Sequence, residues 1–408
     1  MKSFKRGTLL SALVMAVGIS ATPSWAADEP IRLGAIHILS GSAANYGKFA
    51  RQGIDLAIDE INDSGGVMGR DLELVIEDSQ GKASTAIQAA RKLVYQDQVS
   101  GLLGLDSSGV AQGLVPIMPE LKKPLIITHA ATPDATGSLC NAYTYRISNN
   151  VAQNMNALAS VAAETGAKRW TTIGPDYAFG HQSWEYFGNA LKKINPDVEL
   201  LKDTAFPRFG AEDFTPFING VMAAKPDGVL ISVWGGDLVN FVRQANNLGF
   251  FEKDMQIIFT VGAATEVLSA LGEQMPEGVW LSTRYWYKAF DNEQNKHFVA
   301  AYKDRYGVPP SYNAEGAYAA VYAYKKAIEK AGSADDGDKI AAALDGMSLD
   351  APNGTITFRK GDHQALVGPN VGRAGAMDEE DGIRDLEDLR LFDGEKISRS
   401  VAETGCKL

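Results

Sequence analysis

Between Gly101 and Pro133 the chain twice runs a short apolar strand into a loop of hydroxyls and glycine. Gly101 to Leu105 leads into Asp106-Ser107-Ser108-Gly109, and a helix follows from Val110 to Leu121. Pro124 to Thr128 then leads into His129-Ala130-Ala131-Thr132-Pro133. Strand, loop, helix, strand and loop in this order describe an open parallel sheet, and ligands bind at the carboxyl edge of such a sheet. Hydroxyls and backbone N–H groups at a helix start suit a carboxylate, so Ser107 is a candidate ligand contact. The alternative for Ser107 is an N-cap that satisfies its own helix.

The alternation extends both ways. Ile31 to Ile38 and Asp71 to Glu77 read as strands, with a helix between them whose apolar face carries Ile54, Ala57, Ile58 and Ile61. Ser64-Gly65-Gly66 stops that helix, and Ser84 can cap the next one, through Tyr95. The pattern restarts with a helix from Val151 to Thr165. Strands follow at Arg169 to Ile173, Val198 to Ala205, Gly228 to Val233 and Gln256 to Thr260. Loops at 174–180, 234–237 and 261–264 leave strand ends. The chain therefore reads as α/β, with two doubly wound parallel-sheet lobes. Its 408 residues exceed one ordinary core. Long helices return at 293–306, 312–330 and 336–344, and Gly354 to Phe358 is a late strand. Residues 361–391, charged and weakly periodic, are expected as surface loop.

Lys2, Lys5 and Arg6, the apolar run from Leu9 to Ile19 and Ser24-Trp25-Ala26 read as a cleavable signal peptide, residues 1–26. The apolar run is too short to span a bilayer. A net charge of −11 argues against nucleic acid or an anionic membrane surface as partner. The two cysteines, Cys140 and Cys406, can pair in an oxidising compartment and so tie the carboxyl terminus to the first lobe; the alternative is two free thiols.

Reactive constellations are hard to find. Gly104 to Gly109 lacks the spacing of a nucleophile elbow, and a His129 base would stand in the wrong chain order for a triad. Gly41 to Lys48 has one residue too many for a phosphate loop, with Phe49 where Ser or Thr should hold magnesium. No dinucleotide fingerprint follows the first strand. His37, His129, His181, His297 and His363 are scattered, with no pair at helical ligand spacing, so no metal or cofactor is expected. His129 is expected to bond to backbone, with donation to a carboxylate as the alternative. Loops of hydroxyls, backbone donors and aromatics compose a binding cleft, and hydrolysis is the disfavoured reading.

Leu39-Ser-Gly-Ser-Ala-Ala-Asn-Tyr-Gly47 resembles the opening of type I periplasmic binding proteins, in particular the leucine/isoleucine/valine-binding group of ABC importers. The resemblance continues at Ala57 to Gly69, Thr128 to Thr132, Tyr177 to Gly180 and Phe241 to Gly249, and covers the chain to about residue 360. It implies three hinge crossings, near Ser148, Ser282 and Phe358. Lobe 1 is then 27–148 plus 282–357, and lobe 2 is 149–281 plus 358–408, with the tail free to return to lobe 1. It also implies first-lobe ligand contacts at Tyr46, Leu105, Ser107, Ala130 and Thr132, which hold a carboxylate in relatives.

The second lobe departs from the family pattern. Gly262 stands where amino-acid binders carry an acid for the ligand ammonium, and Phe179 where they carry Tyr. A buried ammonium without a partner would cost several kcal/mol. Asp106 or Asp237 could hold one, and each is otherwise an N-cap. Tyr177, Trp234 and Tyr285 add rings, with ordinary packing as the alternative for each. His363 is a candidate hinge residue. The implied function is a periplasmic substrate-binding protein, monomeric, docking on an inner-membrane permease and closing on a small carboxylate: an amino acid or an aromatic or other organic acid. A ligand-sensing receptor domain of the same fold is the alternative.

Overall fold

A computed structural model describes Met1 and residues 29–408; the signal-peptide reading lies outside the described residues. Two sheets organise it. The first is wholly parallel: β1 (Ile31–His37), β2 (Leu72–Asp78), β3 (Gly101–Gly104), β4 (Leu125–Ile127) and β5 (Thr144–Arg146), in the order β2-β1-β3-β4-β5. The second holds β6 (Arg169–Ile173), β7 (Glu199–Leu200), β8 (Gly228–Ile231), β9 (Gln256–Phe259) and β10 (Trp280–Thr283). Their order, β7-β6-β8-β9-β10, repeats the first sheet strand for strand, and all are parallel. In each lobe the winding direction reverses beside the first strand, which opens a crevice at the carboxyl edge. Strands buried on both faces read as continuous apolar runs, and β3, β4 and β8 are buried throughout.

Two expectations are corrected. The strand read at 198–205 shrinks to β7, with one isolated bridge at Ala205. Residues 361–391 are mostly not loop. After a hairpin of β11 (Ser348–Ala351) and β12 (Gly354–Thr357), β13 (Asn370–Asp378) joins the second sheet antiparallel to β10, and β14 (Ile383–Leu391) pairs antiparallel with β13 at its edge. Their pairing is broken by register irregularities, and β14 carries its charges on an edge. Both features erase a clean period of two.

The chain passes between the lobes after β5, after β10 and after β12. A buried polar knot joins the first and third of these passages. Gln364 Oε1 accepts from Thr136 at 2.9 Å and Asn150 at 3.1 Å, and Gln364 Nε2 donates to the Ser148 carbonyl at 2.8 Å. His363 stacks on Tyr145 with ring centroids 4.0 Å apart. The tail then crosses once more. Asn156 on the helix Val151–Glu164 holds the Ile397 carbonyl at 2.8 Å, and Cys406 is bonded to Cys140 beyond β4.

Candidate functional site

The cleft lies where the carboxyl edges of the two sheets face each other. The lobes stand nearly shut, leaving about 20 Å³ free between them, room for a water-sized guest until they part. From the first sheet come Asp106, Ser108, His129 and Ala131, with Tyr46 from the helix Ala44–Asp63. The second supplies Tyr177, Phe179, Trp234, Val261 and Arg284; Tyr312 opens the helix Tyr312–Ala331. Trp234 stacks on Phe209 with centroids 5.0 Å apart and tilts against Tyr46 at 5.0 Å, so rings from both lobes meet. Trp234 Nε1–H donates to the Tyr177 hydroxyl at 2.9 Å. The lobes are held together by Gly236 N–H on the Ser42 carbonyl at 3.1 Å and by Gln182 Nε2 on Asp134 at 2.9 Å.

Arg284 is the first residue after β10. Its guanidinium donates to the His129 carbonyl and lies over the Tyr312 ring, 5.2 Å from the centroid. Among the described residues no carboxylate lies within 4.0 Å of it. Burial pushes its pKa down, yet guanidinium stays charged at neutral pH. Beside it, the Ser108 hydroxyl is buried without a hydrogen-bond partner, and the Tyr46 hydroxyl faces that of Tyr312. A cation and an unpaired hydroxyl in a ring-lined cavity are complementary to an anion with a flat apolar body.

Asp106 is not available for an ammonium. Gly104 and Leu105 take φ values of +123° and +67°, turning the chain sharply after β3. A Cβ on Gly104 would meet the Ile36 carbonyl at 2.4 Å, so only glycine fits. The turn carries Asp106 back over β1. There Oδ1 meets His37 Nδ1 at 2.9 Å and His129 Nδ1 at 3.1 Å, and Oδ2 accepts the Ile38 N–H at 2.6 Å. Burial pushes the Asp106 carboxyl up, but the charge of His37 and bonds from both rings outweigh it and hold the group well below the usual range. Burial drives His129 down to about 4 against the pull of Asp106. The two histidines are thus not scattered: three neighbouring strands bring them to one carboxylate.

Of the residues chosen from sequence, Tyr46, Asp106, Tyr177, Phe179 and Trp234 line the cavity. The others lie around it. Ser107 is the N-cap residue of the short helix Ser108–Leu114, with no side-chain cap bond; its hydroxyl reaches Tyr177, and the adjacent Ser108 lines the cavity. Leu105 and Ala130 are buried and paired to each other through backbone, Ala130 N–H to Leu105 carbonyl at 2.6 Å. Thr132 turns its hydroxyl to Asp134, capping residues 133–136. Gly262 packs into the core, where a Cβ would meet Phe259 at 2.6 Å and Leu281 at 2.7 Å. Tyr285 is buried against Phe290 and Phe298. Asp237 accepts Gly210 N–H at 2.7 Å outside the cavity. Sequence reasoning placed the Ser108 hydroxyl at this edge but missed Arg284, Tyr312 and the pairing of His37 with Asp106. Arg284 had a usable signal, a lone cation just past the carboxyl end of a strand.

Residues 30–376 match the family model described as "Periplasmic binding protein". The chain belongs to this family. The binding protein is 28% identical over 366 residues to the leucine-, isoleucine-, valine-, threonine- and alanine-binding protein of Pseudomonas aeruginosa, covering 88% of this chain and 94% of the relative. Among solved structures, it is similar to an amino acid ABC transporter substrate-binding protein from Pseudomonas fluorescens Pf-5. That match has TM-score 0.82, 26% identity and coverage of 94% and 100% of the two chains. It is also similar to a solute binding protein of an ABC transporter from Rhodopseudomonas palustris BisB5 in complex with 3,4-dihydroxy benzoic acid, with TM-score 0.80, 25% identity and coverage of 90% and 98%. Among the described residues, no helix is long and apolar enough to cross a membrane.

Proposed function

We propose that this binding protein is the substrate-binding component of an ABC importer, exported to the periplasm by residues 1–26, and that its cleft takes a small aromatic carboxylate without an ammonium group. The observation that carries this reading is Arg284, a cation with no carboxylate partner among the described residues, inside a cavity walled by Tyr46, Tyr177, Phe179, Trp234 and Tyr312. Asp106 is the one acidic residue among those lining the cavity, and its oxygens are taken by His37, His129 and Ile38 N–H. An amino acid would bury its ammonium against no free anion. The complex of the R. palustris relative with an aromatic acid supports the reading, while the amino-acid binders among the relatives mark its competitor.

The lobes divide at the three passages, with β10 held in the second sheet through Thr283 and the tail returning to lobe 1. Ligand energy is then used to close the lobes, and the closed form presents both to a permease. Mass spectrometry of ligand released from purified protein, followed by calorimetry with benzoate, 4-hydroxybenzoate and leucine, tests the assignment. Benzoates are expected to bind and leucine not to. Tight leucine binding would sink the aromatic-acid reading while leaving the transport role intact.

A further inference from the structure

We propose that His37, Asp106 and His129 form a binding site for a first-row divalent transition ion of the zinc type. β1, β3 and β4 are adjacent in the first sheet, and each delivers one of these side chains from its carboxyl end. One ligand atom from each of the three lies within 4.8 Å of the others, His37 Nδ1 and His129 Nδ1 both contact Asp106 Oδ1, and all three side chains are at most 2% exposed. Zinc sits about 2.0–2.2 Å from imidazole nitrogen and carboxylate oxygen. Contacts of 2.9 and 3.1 Å between ligand atoms therefore leave a point reachable from all three after shifts of a few tenths of an ångström.

The outer contact of His129 is that of a metal ligand, whereas His37 Nε2 is buried without a hydrogen-bond partner. His129 Nε2 lies 3.0 Å from the Asn313 carbonyl, which accepts and never donates, so Nε2 carries the ring proton. In the neutral ring the Nδ1 lone pair then faces Asp106 Oδ1 and the Thr128 hydroxyl; a second ring proton on Nδ1 would donate to Asp106, and a metal cation would stand where that proton does. Metal-bound histidines characteristically give their other N–H to a backbone carbonyl or carboxylate, which fixes this tautomer. An ion would take the place of the contacts that His37 and His129 make to Asp106 Oδ1, while the Ile38 N–H keeps Oδ2. The Thr128 hydroxyl, 2.9 Å from His129 Nδ1, is the remaining oxygen nearby. Two imidazoles and one carboxylate leave positions open, and Asp106 and His129 face the cavity. An anionic guest would then bridge the ion and Arg284; that consequence rests on the carboxylate reading, whereas the metal site does not.

The test is calorimetric titration of Zn²⁺ into the chelator-stripped mature protein at neutral pH, without organic ligand, with X-ray absorption on the zinc-loaded form. One equivalent is expected, in a shell containing two imidazole nitrogens. Asp106→Asn or His129→Gln is expected to weaken binding about a hundredfold or more. His181→Ala, which removes an exposed His–Asp pair with Asp176, is expected to leave it unchanged. Absence of binding, an oxygen-only shell, or equal affinity in the cluster variants would overturn the site and leave a proton-linked network. If the variants do not fold, the wild-type absorption shell decides alone.

Discussion

Gly236 meets Ser42 across the cleft, its N–H on the Ser42 carbonyl at 3.1 Å, and a Cβ at Gly236 would stand 2.3 Å from that same oxygen. One residue thus supplies a bond between the lobes and the absence of side chain that lets them touch. Gly236→Ala is expected to leave each lobe intact and to penalise the closed form. Ligand affinity should fall at least about tenfold, about 1.4 kcal/mol. Calorimetry reads the loss, and small-angle scattering should show less shrinkage at a given ligand concentration.

Arg284→Met removes the cation while keeping the stem that packs on Tyr312. Losing one partner of a buried charge pair costs roughly 2–5 kcal/mol, so carboxylate affinity should fall about 30-fold or more. Arg284→Lys should recover only part, because a point charge cannot make the paired donation of a guanidinium. Retained affinity in Arg284→Met would place the carboxylate elsewhere.

Ser108 and Thr132 should behave differently. Ser108→Ala removes an unpaired hydroxyl facing the cavity and should weaken binding by about 1 kcal/mol, with little change in thermal stability. Thr132→Val removes the side chain that accepts Asp134 N–H and should lower stability by about 1 kcal/mol, with affinity little changed. Denaturant melts and calorimetry on both variants separate the roles.

Stability should decline as pH rises through neutrality. Burial pushes Glu266 up to about 7 and Glu315 up to about 8. Between the unfolded carboxylate value, about 4.3, and these values the folded state binds more protons than the unfolded. The stabilising protonated form is complete below that range and is lost as pH climbs to about 8. Glu266 also accepts from Asn313 across the lobes, with Tyr46, Tyr312 and Asp106 as its neighbouring titratable groups. The slope should be on the order of 1 kcal/mol per pH unit for each group. Glu266→Gln and Glu315→Gln should each flatten it; an unchanged slope in both would refute the assignment.

Much of the frame was legible because β3, β4 and β8 are continuous apolar runs that end in glycine or hydroxyl loops. Doubly buried strands leave that mark whatever surrounds them. Side-chain direction was less legible. Ser107 and Ser108, or Ala130 and Ala131, differ by one step of a strand exit, and for the serines the left-handed turn at Gly104 and Leu105 sets the direction. Asp106 lies 69 residues from His37 and 23 from His129, so no local spacing rule relates them. The aromatic neighbours Tyr285, Trp286 and Tyr287 masked Arg284, although the rings went into the core and the cation into the cleft.

The bond between Cys140 and Cys406 spans 266 positions and returns the tail to the lobe where the chain began. Most of the polypeptide is therefore a closed circle that threads both lobes. A single protease cut in any exposed loop within that circle yields a nicked molecule whose fragments stay covalently attached, separating on a gel only after reduction. For a protein working outside the cytoplasm, that is durability obtained from topology rather than from a larger core.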